Sequence, residues 1–420
     1  MKTSPELIKA FFDPLETLLQ EFTLTNGLLP ADETLRSKRF LVRSVVPHIE
    51  RLSSLFNREE AEKDSALEPY WKLGSNPANL RLAYFLAFMP TNAFRMASVF
   101  SELARLGFKW SGSETLRAID FGCGPASSAS GLALALKHCD IGLPTKGSWA
   151  LMEQDAAILK MGTKWAETVF AHTGLTSWST REFSRKVDFT QPLLPRTAPK
   201  FNLWVSSYFL NEHPLTPEAL AQRMMESWKT HLEENGLVVL IEPALRLQSR
   251  KLLAIRKEIL RLKAEDPSRW DFMQILLPCL GSQNCEALSD AEDWCHEDVS
   301  WERPEYLRVI ERMTGMDRKT LPFSYLVLVR KPAKKLPAKD LDLSEILKNL
   351  PRGRHDRLVS PSHPEGSDWE FFTCGAKGKR RCRMKDRDGE EKPLRGEILC
   401  NAQTRGDRNS TRIDKVDARI

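Results

Sequence analysis

A doubly wound α/β sheet, preceded by a helical region and followed by a small β domain, is the fold this sequence predicts. Three observations predict it. From residue 115 onward, short apolar β-rich runs alternate with helical stretches, the pattern of a parallel sheet covered on both faces. The first of those runs ends in an acid and passes straight into a Gly-x-Gly turn that opens a helix. A Pro- and Lys-rich stretch after Lys331, KPAKKLPAKD, separates this pattern from short strand-like pieces joined by Gly- and Asp-containing turns. At 420 residues the chain exceeds one compact core, so two or three domains are expected.

Residues 1–112 place apolar side chains at three- and four-residue spacing and read as helices. The run NLRLAYFLAFMPTNAFRMASVFSELARLGF breaks at Pro90 into two packed helices. This region reads as a structural cap without chemistry of its own. Residues 113–333 carry the strands LRAIDFG, SWALMEQ, KVDFT, FNLWVSSYFL, GLVVLIEP and FSYLVLVRK, with helices such as SSASGLALALKH and DAAILKMGTKWAETVFAHTG between them. An irregular, cysteine-bearing insertion is expected at about 266–301. Residues 334–402 hold DRLVSPS, WEFFTCG, KRRCRMKD and GEILCNA, a small barrel or meander. The polar residues 403–420 read as a disordered tail.

Composition is that of a globular protein, with 41% hydrophobic and 28% charged residues. The start lacks a basic end followed by an unbroken apolar run, and no stretch reaches the roughly 18 apolar residues of a membrane span. A cytoplasmic protein without a membrane partner, acting as a monomer, is therefore expected. Its eight cysteines are then thiols or metal ligands. The net charge of +6 is concentrated: residues 375–420 hold 14 Lys/Arg against 8 Asp/Glu, while the preceding 374 hold 48 of each. A basic block on a neutral body suits RNA, and equally a solvated tail.

The strongest local signal is Ala118-Ile119-Asp120-Phe121-Gly122-Cys123-Gly124-Pro125-Ala126. Gly122 and Gly124 let a ligand approach the backbone where a β-carbon would clash. Position 127 is Ser, where a dinucleotide fold prefers a third glycine, and no P-loop is present. The next strand ends in Glu153, placed to accept hydrogen bonds from ribose hydroxyls, and Asp188 closes the third strand, facing an adenine. This succession resembles the class I S-adenosylmethionine-dependent methyltransferases over about 200 residues, and implies that Asp120, Gly122, Gly124, Glu153 and Asp188 hold that cofactor. After the fourth strand, Tyr208, Asn211 and Glu212 stand where a substrate would enter. The Asn/Asp-Pro-Pro-Tyr motif of amine methylation is missing, so the catalytic residue itself is left open, with those three as candidates.

Cys279, Cys285 and Cys295 fall in one loop with little apolar content, which suits a metal better than a core. Cys374, on the small β segment, completes four thiols, and one metal group would pin the two domains together. Four thiolates fit zinc or a [4Fe–4S] cluster; the lack of Cys-x2-Cys knuckles favours iron. His296, Cys382 and Cys400 are reserve ligands, and Cys123 and Cys139 read as packing residues.

Ser-Ser-Tyr-Phe-Leu-Asn-Glu at 206–212, Val-Leu-Ile-Glu-Pro at 239–243, and the loop ending Asp293-Trp294-Cys295-His296 follow in one order. With Met89-Pro90, Arg95 and Phe372-Thr373-Cys374-Gly375, they resemble the ribosomal small-subunit methyltransferase-like family across roughly residues 83–385. The resemblance implies a [4Fe–4S] cluster on Cys279, Cys285, Cys295 and Cys374, and a role with the small ribosomal subunit or its rRNA. The sequence departs from the family beside its ligands: Cys-Pro-His is here Cys279-Leu280-Gly281, and Cys-Pro is Cys285-Glu286. The expected function is S-adenosylmethionine-dependent methyl transfer in ribosome assembly or translation. Lys377, Lys379, Arg380, Arg381 and Arg383 are the expected phosphate contacts. The alternatives are an RNA-binding assembly factor without turnover, and a small-molecule or protein methyltransferase.

Overall fold

The computed structural model describes residues 3–56, 76–111, 113–280, 285–316, 318–333, 341–386, 391–407 and 410–420. Six helices come first: α1 (Pro5–Phe12), α2 (Leu15–Thr25), α3 (Lys38–Ser44), α4 (Val46–Phe56), α5 (Pro77–Ala87) and α6 (Met89–Arg105). The sheet domain follows with β1 (Thr115–Phe121), α7 (Ser127–Ala135), β2 (Lys146–Glu153), α8 (Ala156–Thr173), β3 (Trp178–Ser184), β4 (Phe201–Ser207), α9 (Pro217–His231) and β5 (Leu232–Pro243). It continues through α10 (Arg246–Glu265), α11 (Pro267–Trp270), β6 (Met273–Leu277), β7 (Glu297–Ser300), α12 (Glu305–Thr314) and β8 (Thr320–Arg330). Most of the Pro- and Lys-rich linker, 334–340, lies outside the described residues. Beyond it stand α13 (Leu343–Ile346), β9 (His355–Leu358), β10 (His363–Glu365), β11 (Asp368–Gly375), β12 (Gly378–Lys385), β13 (Ile398–Cys400), β14 (Gln403–Asp407), β15 (Ser410–Lys415) and β16 (Ala418–Arg419).

The main sheet runs β3-β2-β1-β4-β5-β8-β6, with β7 beside β8. β1 to β5 pair in parallel, and β8 lies antiparallel to β5 and β6. This doubly wound layout, with one reversed strand near its edge, fits the sheet expected from the sequence. Strand sequences explain why it is buried on both sides. Leu203 and Val205 of β4, with Leu237, Val239 and Ile241 of β5, join one core. The residues between them, Trp204, Val238 and Leu240, join the core on the other face.

The N-terminal helices are continuous with that first core. Phe94 of α6 packs on Phe11 and Phe12 of α1, with ring centroids 5.0 and 4.7 Å away. Phe22 and Phe85 pack on Trp165 of α8 at 5.4 and 5.5 Å. The helix break falls where Pro90 predicts it: α5 ends at Ala87, and the proline sits in the first turn of α6, where no N–H is missed. Among the described residues no helix is long and apolar enough to cross a membrane.

Three expectations are corrected. The third strand is β3, WSTREFS, and not KVDFT. β3 is an exposed edge strand with a polar sequence, whereas Val187 and Phe189 are buried on either side of exposed Asp188 and so imitate strand alternation. Part of the expected irregular insertion is regular: MQILL forms the opposite edge strand, β6. The tail expected to be disordered builds β14, β15 and β16 into the C-terminal sheet, whose order is β14-β15-β12-β11-β9-β13-β16. Ion pairs hold it there. Arg412 grips Asp368 with two hydrogen bonds (2.8 and 3.1 Å), Arg419 meets Glu397 at 2.8 Å, and Ile413 enters the small core around Phe371 and Cys382.

Candidate functional site

At the carboxyl end of β1 the backbone turns left-handed at Gly122 (φ +67°) and Gly124 (φ +50°) before α7 begins. A β-carbon at Gly122 would stand 2.5 Å from the Phe209 ring, so only glycine fits. Beneath this turn Asp120 is 1% exposed, with the Ser128 hydroxyl near its carboxyl but outside hydrogen-bond geometry. Burial pushes its carboxyl up to about 8; the nearby Ser128 hydroxyl opposes the shift, and the Glu153 charge adds to it. Glu153, at the tip of β2, accepts the Gly124 N–H (3.1 Å) and the Asp155 N–H (3.0 Å). Burial raises it above the usual carboxylate range. Asp120, Gly122, Gly124 and Glu153 therefore meet at one turn.

Asp188 is not on a strand. It is exposed in the loop beyond β3, where one oxygen accepts the Thr190 N–H (2.8 Å) and hydroxyl (2.7 Å), which lowers its pKa. The expected closing acid of the third strand is thus a turn residue.

The tip of β4 forms the neighbouring wall. Tyr208 is held at φ +59°, its N–H donating to Ile241 at 2.7 Å. Asn211 and Glu212 follow in a short 3₁₀ turn, Leu210–Glu212. That turn hangs on Glu242 of β5, whose oxygens accept the N–H groups of Leu210 (2.8 Å) and Asn211 (3.3 Å). Glu242 is 1% exposed, and burial, opposed by those amides, pushes it up to about 8. The side-chain oxygen of Asn211 is buried without a partner, an acceptor open to a ligand. A side chain at positive φ stores strain, so Tyr208→Gly is expected to be more stable than Tyr208→Ala by about 1 kcal/mol in urea unfolding.

Sequence reasoning missed that the helical region reaches this turn. Tyr84 of α5 lies 3.8 Å from where a Gly124 β-carbon would stand. Arg81 of α5 clasps Asp155 with two hydrogen bonds (2.9 and 2.6 Å). From α6, Arg95 reaches over the Tyr208 ring, 5.5 Å from its centroid. The available signal was Asn92 and Arg95, the amide and the charge inside the otherwise small or apolar run MPTNAFRMASVF.

The four predicted thiols are brought together. Cys279 follows β6, Cys285 and Cys295 belong to the loop before β7, and Cys374 comes from β11; all four line one cavity of about 30 Å³, the space open to water centres. Arg256 and Arg357 line it as well. Burial, then the neighbouring Cys279 and Cys285, push the Cys374 thiol up to about 12. Cys295 is raised by burial and by all three other thiols. The loop holds its shape through polar clamps: Arg250 donates to the carbonyls of Ala287 (2.9 Å), Asp290 (2.6 Å) and Asp293 (2.6 Å). Among the described residues no three His, Cys, Asp or Glu side chains converge as a single-ion site. The reserve ligands stand elsewhere: His296 stacks on Trp294, Cys382 lies in the small core and Cys400 in the large one. Cys123 and Cys139 are buried packing residues.

The predicted basic segment is largely engaged within the chain. Lys379 meets Asp293 (2.5 Å), Arg380 meets Asp356 (2.9 Å), and Arg381 and Arg383 share Glu370 (2.7 and 3.0 Å). Lys377 stands exposed. Phe372, 38% exposed, lies under the Lys379 ammonium at 5.3 Å.

No family model and no curated protein matches the sequence. Among solved structures, the chain is similar to a protein assigned as a class I S-adenosylmethionine-dependent methyltransferase from Listeria monocytogenes (11% identity, 80% of this chain and 92% of that one, TM-score 0.34). It is also similar to precorrin-6y C5,15-methyltransferase from Geobacter metallireducens (12%, 56% and 86%, TM-score 0.30). A third is an arsenic(III) S-adenosylmethionine methyltransferase from Chlamydomonas reinhardtii (15%, 64% and 83%, TM-score 0.29). The fold rests on the strand order described above.

Proposed function

We propose that this protein binds S-adenosylmethionine at the Gly-x-Gly turn and transfers its methyl group to small-subunit ribosomal RNA or a precursor of it. The observation that carries the donor reading is Asp120, a buried carboxyl beneath the left-handed turn, with Glu153 arriving from the next strand. A donor bearing a sulfonium and an ammonium supplies the positive charge that such a carboxyl lacks. Methyl transfer then requires the acceptor to be held in line rather than activated covalently. Tyr208, Asn211 and Glu212 frame that position, and the open oxygen of Asn211 suits an amine or hydroxyl donor. The basic surplus beyond residue 375 and the exposed Phe372 ring beside Lys379 support RNA as the acceptor. Surface ion pairs are weak and exchange readily for phosphates, so the internal pairing of this segment is compatible with that role.

The same reading assigns a [4Fe–4S] cluster to Cys279, Cys285, Cys295 and Cys374. Zinc bound at about 2.3 Å draws four sulfurs tightly onto one point, whereas a cluster has volume of its own and keeps its thiolates apart. Four thiols around a shared cavity suit the cluster, and Arg256 and Arg357 offset the charge of the thiolates. The cluster would stabilise the junction of the two domains. Anaerobic purification of wild type and Cys279→Ser, with metal analysis and an absorbance spectrum, tests it. Brown wild-type protein holding about four irons, bleached by the substitution, is expected; a colourless protein with one zinc, or with no metal, would overturn the cluster.

A further inference from the structure

Beside the proposed donor pocket two guanidiniums lie close enough for the charge of one to act on the other. Arg95 lies over Tyr208 and gives one N–H to the Asn92 side chain at 2.8 Å. Arg318, two residues before β8, lies over Phe88 at 5.2 Å and donates to the Ala87 carbonyl (3.2 Å) and the Met316 sulfur (3.4 Å). Phe88 in turn stacks on Tyr84, with centroids 5.5 Å apart and planes at 18°. The Arg95 Nε is buried without a hydrogen-bond partner, and among the described residues neither guanidinium makes an ion pair. Glu311, whose charge reaches Arg318, is bound to Arg303 at 3.0 Å. Burial, and then the charge of Arg95, push Arg318 below the usual arginine range.

Two like charges within reach of each other, both partly buried, are unfavourable unless an anion joins them. The aromatic rings beneath them fix the planes of both forks, and a fixed fork binds a carboxylate or phosphate through two parallel hydrogen bonds. The place is also specific. Tyr208 follows the strand next to β1, and Tyr84 lies beside the Gly-x-Gly turn, so an anion held here would lie between the proposed donor and its acceptor.

We propose that Arg95 and Arg318 form a receptor for one oxyanion brought by the reacting molecules. Resting on the methyl-donor reading above, the receptor takes either the carboxylate of the donor's amino-acid portion or a phosphodiester of the RNA beside the methylated nucleotide. Both sources present two equivalent anionic oxygens on one centre, trigonal in the carboxylate and tetrahedral in the phosphodiester, which a guanidinium fork can bind together.

Titration calorimetry of the full-length chain separates them, using wild type, Arg95→Gln and Arg318→Gln. The probes are S-adenosylhomocysteine, 5′-methylthioadenosine (the same nucleoside thioether without the amino acid) and a uridine oligoribonucleotide of about ten residues. If the anion is the donor's carboxylate, each substitution weakens S-adenosylhomocysteine by at least about tenfold and leaves methylthioadenosine unchanged. If it is a phosphodiester, S-adenosylhomocysteine is unaffected and the oligoribonucleotide loses at least about tenfold, with a shallower salt dependence. Neither ligand changing in either variant would overturn the receptor. Wild type failing to bind S-adenosylhomocysteine would contradict the donor reading instead, and the oligoribonucleotide would still decide the anion site. Arg95→Lys and Arg318→Lys, which keep the charge and lose the fork, should fall between wild type and the glutamine variants; they carry the same comparison should a glutamine variant fail to fold.

Discussion

Asp120→Asn is expected to weaken binding of S-adenosylmethionine by about 10- to 100-fold at pH 8 and to remove its pH dependence. In the empty protein the Asp120 carboxyl is pushed up to about 8 by burial, so it is largely neutral at lower pH. The cationic donor favours the ionised form. Binding to wild type should therefore strengthen as pH rises from about 6 to about 8 and then level off. A hydrogen bond to a charged group contributes about 1.5–3 kcal/mol, which sets the size of the loss in the asparagine variant. Stability of the empty protein carries the opposite sign. The folded state holds a proton on Asp120, and another on Glu242 (also about 8), that the unfolded chain releases near its ordinary carboxylate pKa. The contribution of these two groups to stability is therefore fullest in acid and declines as pH rises from about 4 to about 8. Asp120→Asn removes its share of that decline, so the empty variant should be more stable than wild type at pH 8. Titration calorimetry and urea unfolding at a series of pH values check both halves.

Arg357→Ala is expected to destabilise the protein by about 3–5 kcal/mol. Arg357 of β9 is 2% exposed and binds Glu102 of α6 at 2.8 Å and Glu297 of β7 at 2.9 Å. One side chain thus ties the helical region, the sheet domain and the C-terminal sheet together. Burial works to raise the Glu102 carboxyl, but Arg357 and Arg105 outweigh it and hold the group below the usual carboxylate range. Without Arg357, Glu102 keeps Arg105 (2.8 Å), whereas Glu297 loses its buried guanidinium partner. Arg357→Met should be nearly as damaging, because it restores volume and not charge. Combining it with Glu102→Gln and Glu297→Gln should recover much of the loss. Urea unfolding of the four proteins measures this; an Arg357→Ala variant within about 1 kcal/mol of wild type would contradict the assigned role.

What the sequence made legible is what local chemistry dictates. An apolar strand, an acid and two glycines specify β1, the turn and α7, and an acid at the next strand tip specifies Glu153. Alternating strands and helices specify the doubly wound sheet. The cysteine quartet was legible from residue type alone, since a loop poor in apolar residues has little other reason to carry three thiols. The rest depends on partners distant in the chain. Apolar periodicity in α5 and α6 shows that these helices are buried, and not that Tyr84 and Arg95 turn toward the pocket. Positive charge in β12 is visible, but its compensation comes from across the sheet: Glu370 stands opposite Arg383 in the β11–β12 register, and Asp293 reaches Lys379 from another domain. The same blindness made a disordered tail of β14 to β16, whose Arg412 and Arg419 are paired with Asp368 and Glu397, acids distant in the chain.

The central claim, a methyl donor bound at the Gly-x-Gly turn, is tested most directly by titrating S-adenosylhomocysteine into wild type and Glu153→Ala. Saturable one-to-one binding with a roughly micromolar dissociation constant, weakened at least about tenfold by the substitution while the circular dichroism spectrum is kept, is the expected result. Wild-type protein that binds no S-adenosylhomocysteine at millimolar concentration, or binding that Glu153→Ala leaves intact, would contradict it.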